Sequence, residues 1–98
     1  MSDYARQKLW EALSALVGAG TIQERLMGAG MQLVVLQPRG LLSEHLEEFR
    51  AIMHELTRCP AVGNEGTLAA TTRTLTDDQG RAIAIRILEL YTGVRGGI

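Results

Sequence analysis

One cysteine, two prolines and no long apolar run set the first limits on this 98-residue chain. With Cys59 alone no intrachain disulfide can form, which fits a reducing compartment. With so little proline, the composition is far from that of a disordered, proline-rich chain. The longest strongly apolar run, Leu33 to Leu36, is far too short to span a bilayer, and the opening stretch MSDYARQKLW lacks the apolar core of a signal peptide. A cytoplasmic location is therefore expected. Charge of one sign is also scarce in excess: ten basic against eleven acidic side chains leave a net −1. That balance offers no long-range attraction for nucleic acid or an anionic membrane.

What is present is 46% hydrophobic and 21% charged residues, a globular profile of a size suited to one core, so 1–98 is read as a single helical domain. The pattern predicts an all-α, compact bundle of four to five short helices. The first runs from Ser2 or Asp3 to Val17, with Leu9, Leu13 and Leu16, joined by Trp10 and Val17, as its buried stripe. Gly18 and Gly20 offer the positive φ that helix ends often use. Thr21 to Glu24 is a capping-box sequence that opens a second helix, closed by Pro38 and Gly40. Ser43 is the expected N-cap of the third, whose stripe is Leu42, Leu46, Phe49, Met53 and Leu56, and Pro60 ends it. Asn64 is expected to cap a short fourth helix reaching Leu75. Thr76 to Gln79 is a second capping box, opening a last helix that reaches about Thr92, with 93–98 a fraying tail. Ile83, Ile85 and Ile87 alternate as a strand would, but the capping box and the acidic first turn favour helix.

The second helix is apolar on both sides. At about 100° per residue, Ile22, Leu26, Ala29, Leu33 and Leu36 share one face, while Met27, Met31, Val34 and Val35 share the other. The last helix repeats this more weakly, with Ile85 and Leu88 opposite its main face of Ile83, Ile87, Leu90, Tyr91 and Val94. The third keeps a polar back of Glu47, Arg50, His54 and Arg58, flanked by a row of Glu44, Glu48 and Glu55. An all-apolar helix is a buried one. Its second face is covered either by the rest of the bundle or by another molecule. Gly28 and Gly30 cost roughly 1 kcal/mol each against alanine, so close approach of a second backbone, or a bend, is expected there.

Chemistry is thinly represented. His45 and His54 fall on different faces of the third helix, and the glutamate row reads as a solvated flank, so no metal site is expected. Cys59, at a helix end before Pro60, reads as a small buried apolar residue rather than a nucleophile. VGAGT and VGNEG lack the phosphate-loop pattern and a preceding strand. The hydroxyls of Thr71, Thr72, Thr74 and Thr76 include one with a capping role. No catalytic residue and no cofactor follow from these features. A membrane-surface peptide would need a cationic polar face, which is missing.

The expectation is a small helical protein that works by protein–protein association, first with itself as a homodimer across a two-fold axis. Its contact surface is expected at Met27, Met31, Val34 and Val35, with Ile85 and Leu88 as a further candidate. A DNA-associated regulator using helices in 64–92, where Arg73, Arg81 and Arg86 would meet phosphates, is the alternative. An enzyme with a site shared at a dimer interface is the third reading.

Overall fold

A computed structural model describes residues 3–37, 40–63 and 65–94, and within them the fold is all-α. Five helices follow in order: α1 Asp3–Leu16, α2 Ile22–Leu36, α3 Ser43–Thr57, α4 Thr67–Thr72 and α5 Asp77–Val94. The segment with alternating isoleucines is therefore helix. Both capping boxes form. The Glu24 amide donates to Thr21 Oγ1 at 3.1 Å, and the Thr21 amide donates to Glu24 Oε1 at 3.2 Å. In α5 the Gln79 amide donates to Thr76 Oγ1 at 3.1 Å and the Thr76 amide to Gln79 Oε1 at 2.9 Å. Each box satisfies two amides that a helix start leaves free.

Three boundaries differ from expectation. Ser43 is already inside α3, whose N-cap is Leu42 with no side-chain cap bond. Helix α4 is only six residues long and starts after Gly66; Asn64, Pro38 and Arg39 lie outside the described residues. Helix α5 continues through Gly93 to Val94, while 95–98 lie outside the description. Between α1 and α2 only Gly20, with φ 105°, uses the left-handed region; Gly18 does not. At the end of α2, Gln37 adopts φ 50°, and its amide donates to Leu33 O at 3.1 Å.

Helices α1 and α2 form an antiparallel hairpin. Tyr4 Oη donates to Val35 O at one end, Lys8 reaches Gln32 further along, and Arg25 Nη1 donates to Leu16 O at the other. Small residues set the approach: Ala5 and Ala12 are buried on α1, and a Cβ placed on Gly28 would lie 3.3 Å from the Ala15 Cβ. This orientation corrects one expectation. Trp10 and Val17 are 57% and 84% exposed, because α1 presents Ala5, Leu9, Ala12 and Leu16 to the core. Trp10 and Val17 sit about 100° and 80° around from Leu9, to one side of that stripe.

Helix α2 touches all four other helices. Leu26, Leu33 and Leu36 are fully buried beneath Phe49, Ile52 and Leu56 of α3 and Ile83, Ile87 and Leu90 of α5, in one continuous core. Gly30 faces Leu68 of α4: an added Cβ would stand 2.6 Å from Leu68 Cδ1. Gly80 of α5 faces α2 in the same way, 3.1 Å from Ile22 Cγ1 and from Leu26 Cδ1. The glycines of α2 thus serve close packing inside the chain. In α3 the stripe is centred on Phe49, Ile52 and Leu56, leaving Leu46 and Met53 half-buried and Leu42 exposed. Thr71, fully buried, ties α4 to the end of α3: its Oγ1 accepts the Cys59 amide at 2.9 Å and donates to Thr67 O at 2.7 Å.

Candidate functional site

Among the described residues, two uncovered apolar surfaces hold most of the exposed large hydrophobic side chains. The first is a strip on α2. Because Leu26, Ala29 and Leu33 face inward, the residues roughly 80° to 180° around the helix from Leu26 face outward. Met31, Val34 and Val35 are 55%, 47% and 52% exposed. Met27, on the same side, is half-buried and packs against the core. Tyr4, whose hydroxyl reaches Val35 O, borders the strip. At its other end stands exposed Glu24. The Thr21 amide, and then the Thr21 hydroxyl, hold that carboxyl below its ordinary pKa of 4.5. The strip therefore ends in a firm negative charge.

The second surface is a groove of about 860 Å³ between α1 and α5, over the N-terminal half of α2. Its rims carry Trp10 from α1 and Val17 just past its end, and Ile85 and Leu88, each nearly half exposed, from α5. Between them lie half-buried Leu13, Ile22 and Ala84, which pack on the core. One end is flanked by the ring pair Trp10 and Tyr91, with centroids 6.1 Å apart. The opposite end carries Arg25, Arg81 and Asp77. Arg25 is partly used, since it donates to Leu16 O, a carbonyl at the end of α1, and to Thr21 O, the N-cap carbonyl of α2. Asp77 accepts from Gln23 Nε2 at 3.1 Å. Arg81 is exposed and has no ion pair among the described residues.

The six residues singled out by sequence fall on these two surfaces without forming one. Met27, Met31, Val34 and Val35 belong to the strip, and Ile85 and Leu88 to the groove. Sequence reasoning missed the contribution of α1. The signal available was the seven-residue spacing of Trp10 and Val17, matched by the equal spacing of the small pair Ala5 and Ala12, which marks the side that packs closest.

Other candidates for chemistry are accounted for structurally. Among the described residues no three His, Cys, Asp or Glu side chains gather as a metal would need. His54 is exposed, and half-buried His45 lies 3.6 Å from Glu44. The Cys59 sulfur is 3.8 Å from Thr74 Oγ1. Of the arginines on the last two helices, Arg73 is paired with Glu65, which raises the guanidinium pKa through hydrogen bonding and charge, and Arg86 donates to Glu48 at 2.9 Å. Among the described residues of 64–92 only Arg81 is left without an acidic partner, which is little positive surface there for a phosphate backbone. No helix among the described residues is long and apolar enough to cross a membrane.

Comparison with known protein families, with characterised proteins and with solved structures found no match, so the reading of these surfaces rests on their own geometry.

Proposed function

We propose that the protein is an association module without catalysis of its own, and that its first partner is another copy of itself. The observation that carries this reading is the strip on α2. Three consecutive outward positions hold Met31, Val34 and Val35, each about half exposed, on a helix whose opposite face is the centre of the core. Contiguous apolar surface of this kind marks an interaction site more often than chance exposure does. Methionine adapts its shape to a facing surface, which suits it to contact with a second chain. The groove adds Trp10, Val17, Ile85 and Leu88, and aromatic residues are enriched where interfaces are strongest. A homo-oligomer, of which a homodimer is the smallest form, covers these surfaces at no cost to the internal core.

The test is the mass in solution. Sedimentation or light scattering of the wild-type chain over a range of concentrations is expected to report self-association. Met31→Glu places a charge in the strip and leaves Leu26 and Leu33 untouched, so the variant is expected to be a folded monomer with its helical signal intact. A wild-type chain that remains monomeric at every concentration would refute the reading.

A further inference from the structure

The groove between α1 and α5 has a closed end and an open one. Trp10 of α1 and Tyr91 of α5 stand with ring centroids 6.1 Å apart, within aromatic contact, so the two walls meet there. At the other end Ile22 and Arg25 line the floor, and α2 stands between the walls. A partner helix, about 10–12 Å across with its side chains, needs a trough open along its length, and this one stops at the ring pair. Its volume of about 860 Å³ falls instead within the roughly 300–1,000 Å³ of small-molecule sites, which are apolar with a few placed polar groups. From Leu88 to Arg81 the α5 wall runs seven residues, roughly 10 Å at 1.5 Å per residue, the reach of a medium-length alkyl chain.

The charged groups gather at the open end, and all but one are already engaged. Arg25 donates to Leu16 O and Thr21 O, and Asp77 accepts from Gln23 Nε2. Glu24, beside the groove, is held by the amide and hydroxyl of Thr21. Arg25 and Arg81 offset Asp77 and Glu24, so a ligand is selected there by contact and not by a long-range field. Arg81 alone of the four has no hydrogen bond or ion pair among the described residues. Its guanidinium presents a planar fork of N–H donors, the geometry that a carboxylate accepts with both oxygens. We infer that the groove binds a free fatty carboxylate, its tail lying over Ile22 and Ala84 towards Trp10 and its head on Arg81. This goes beyond the self-association reading, which the strip carries, and no residue of the strip lines the groove.

Trp10 is the chain's only tryptophan and lines the groove, so its emission reports occupancy. The chain is titrated with decanoate below its micelle-forming concentration, while light scattering follows the mass. Decanol and decyltrimethylammonium supply the same tail with an uncharged and a cationic head. Decanoate is expected to saturate at one per chain and to shift the emission to the blue at constant mass. Decanol is expected to bind roughly tenfold more weakly, the worth of a hydrogen bond to a charged group, and the cation more weakly still. Arg81→Met, at an exposed position, is expected to bring decanoate down to the affinity of decanol and to leave decanol unchanged. Ile85→Glu on the rim is expected to weaken decanoate and decanol alike; should it lose its helical signal, Leu88→Glu takes its place. Emission that does not change, or changes without saturating, overturns the site. Emission that changes only with a rise in mass gives the groove to a second copy and overturns it too. Equal affinity for decanoate and decanol, or an Arg81→Met variant that keeps their difference, overturns the carboxylate head on Arg81. A chain that takes up decanoate yet stays monomeric at every concentration removes the self-association reading and leaves this one standing.

Discussion

Replacement of Phe49 by alanine tests the core more directly than any other single change, because its neighbour in sequence supplies the control. Phe49 is 5% exposed and stands in the continuous core, between α3 and the helices above it. Truncating a buried phenylalanine costs about 3–5 kcal/mol, part from lost burial and part from the cavity left behind. Against a total stability of about 5–15 kcal/mol for a domain, that is about a fifth or more of what holds the fold. At about 4–8 °C per kcal/mol for a domain of this size, the melting temperature should fall by roughly 12–40 °C. Glu48 lies one residue away, partly exposed, and accepts from Arg86 Nε at 2.9 Å across the α3–α5 contact. Exposed pairs of this kind contribute about 0.2–1 kcal/mol, so Glu48→Ala should cost no more than about 1 kcal/mol. The assay is urea unfolding followed by far-UV circular dichroism, with the slope checked for constancy so that a shifted midpoint means a change in stability. A double-mutant cycle with Arg86→Ala isolates the pair. If Glu48→Ala proved as costly as Phe49→Ala, the assignment of inner and outer faces of α3 would be refuted.

Two further outcomes follow from the same structure. Gly80→Ala gains about 1 kcal/mol of helix propensity but sets a methyl against Ile22 Cγ1, Ile22 Cγ2 and Leu26 Cδ1 at 3.1–3.2 Å. Ile22, β-branched and stiff at χ1, would have to shift together with Leu26, and overpacking costs about 1–3 kcal/mol, so net loss is expected; a rise in the urea midpoint would refute the close fit between α2 and α5. The Glu24 carboxyl has a folded-state pKa below its ordinary 4.5, through the Thr21 amide and then its hydroxyl. Its contribution is therefore complete above that ordinary value and is lost as pH falls through the lowered one. Wild-type urea midpoints measured down through the carboxylate range should include a step that Glu24→Gln lacks, and equal slopes for the two proteins would count against the capping interaction.

The sequence alone determined which segments are helices and which side of most of them turns inward. Both capping boxes, at Thr21–Glu24 and Thr76–Gln79, were legible because their partners lie three residues apart, and the polar back of α3 was legible because its period is local. The double face of α2 was equally plain, and the structure answers it with a mixture: Leu26 and Leu33 are core, Met31, Val34 and Val35 are exposed, and Met27 stands between. Only the tertiary structure decided how α1 is rotated, and with it the groove. Leu9 and Trp10 are equally apolar by type, and what turns Trp10 outward is the burial of Ala5 and Ala12 on α1 together with the close fit of Ala15 on Gly28 of α2. The same holds for Gly30 beneath Leu68, for Thr71 as the tie to Cys59, and for Arg86 with Glu48. Each joins positions 12 to 38 residues apart. A periodic pattern records the side of a helix that avoids water, whereas the partner it meets is chosen by the packing of distant surfaces against one another, which no local spacing records.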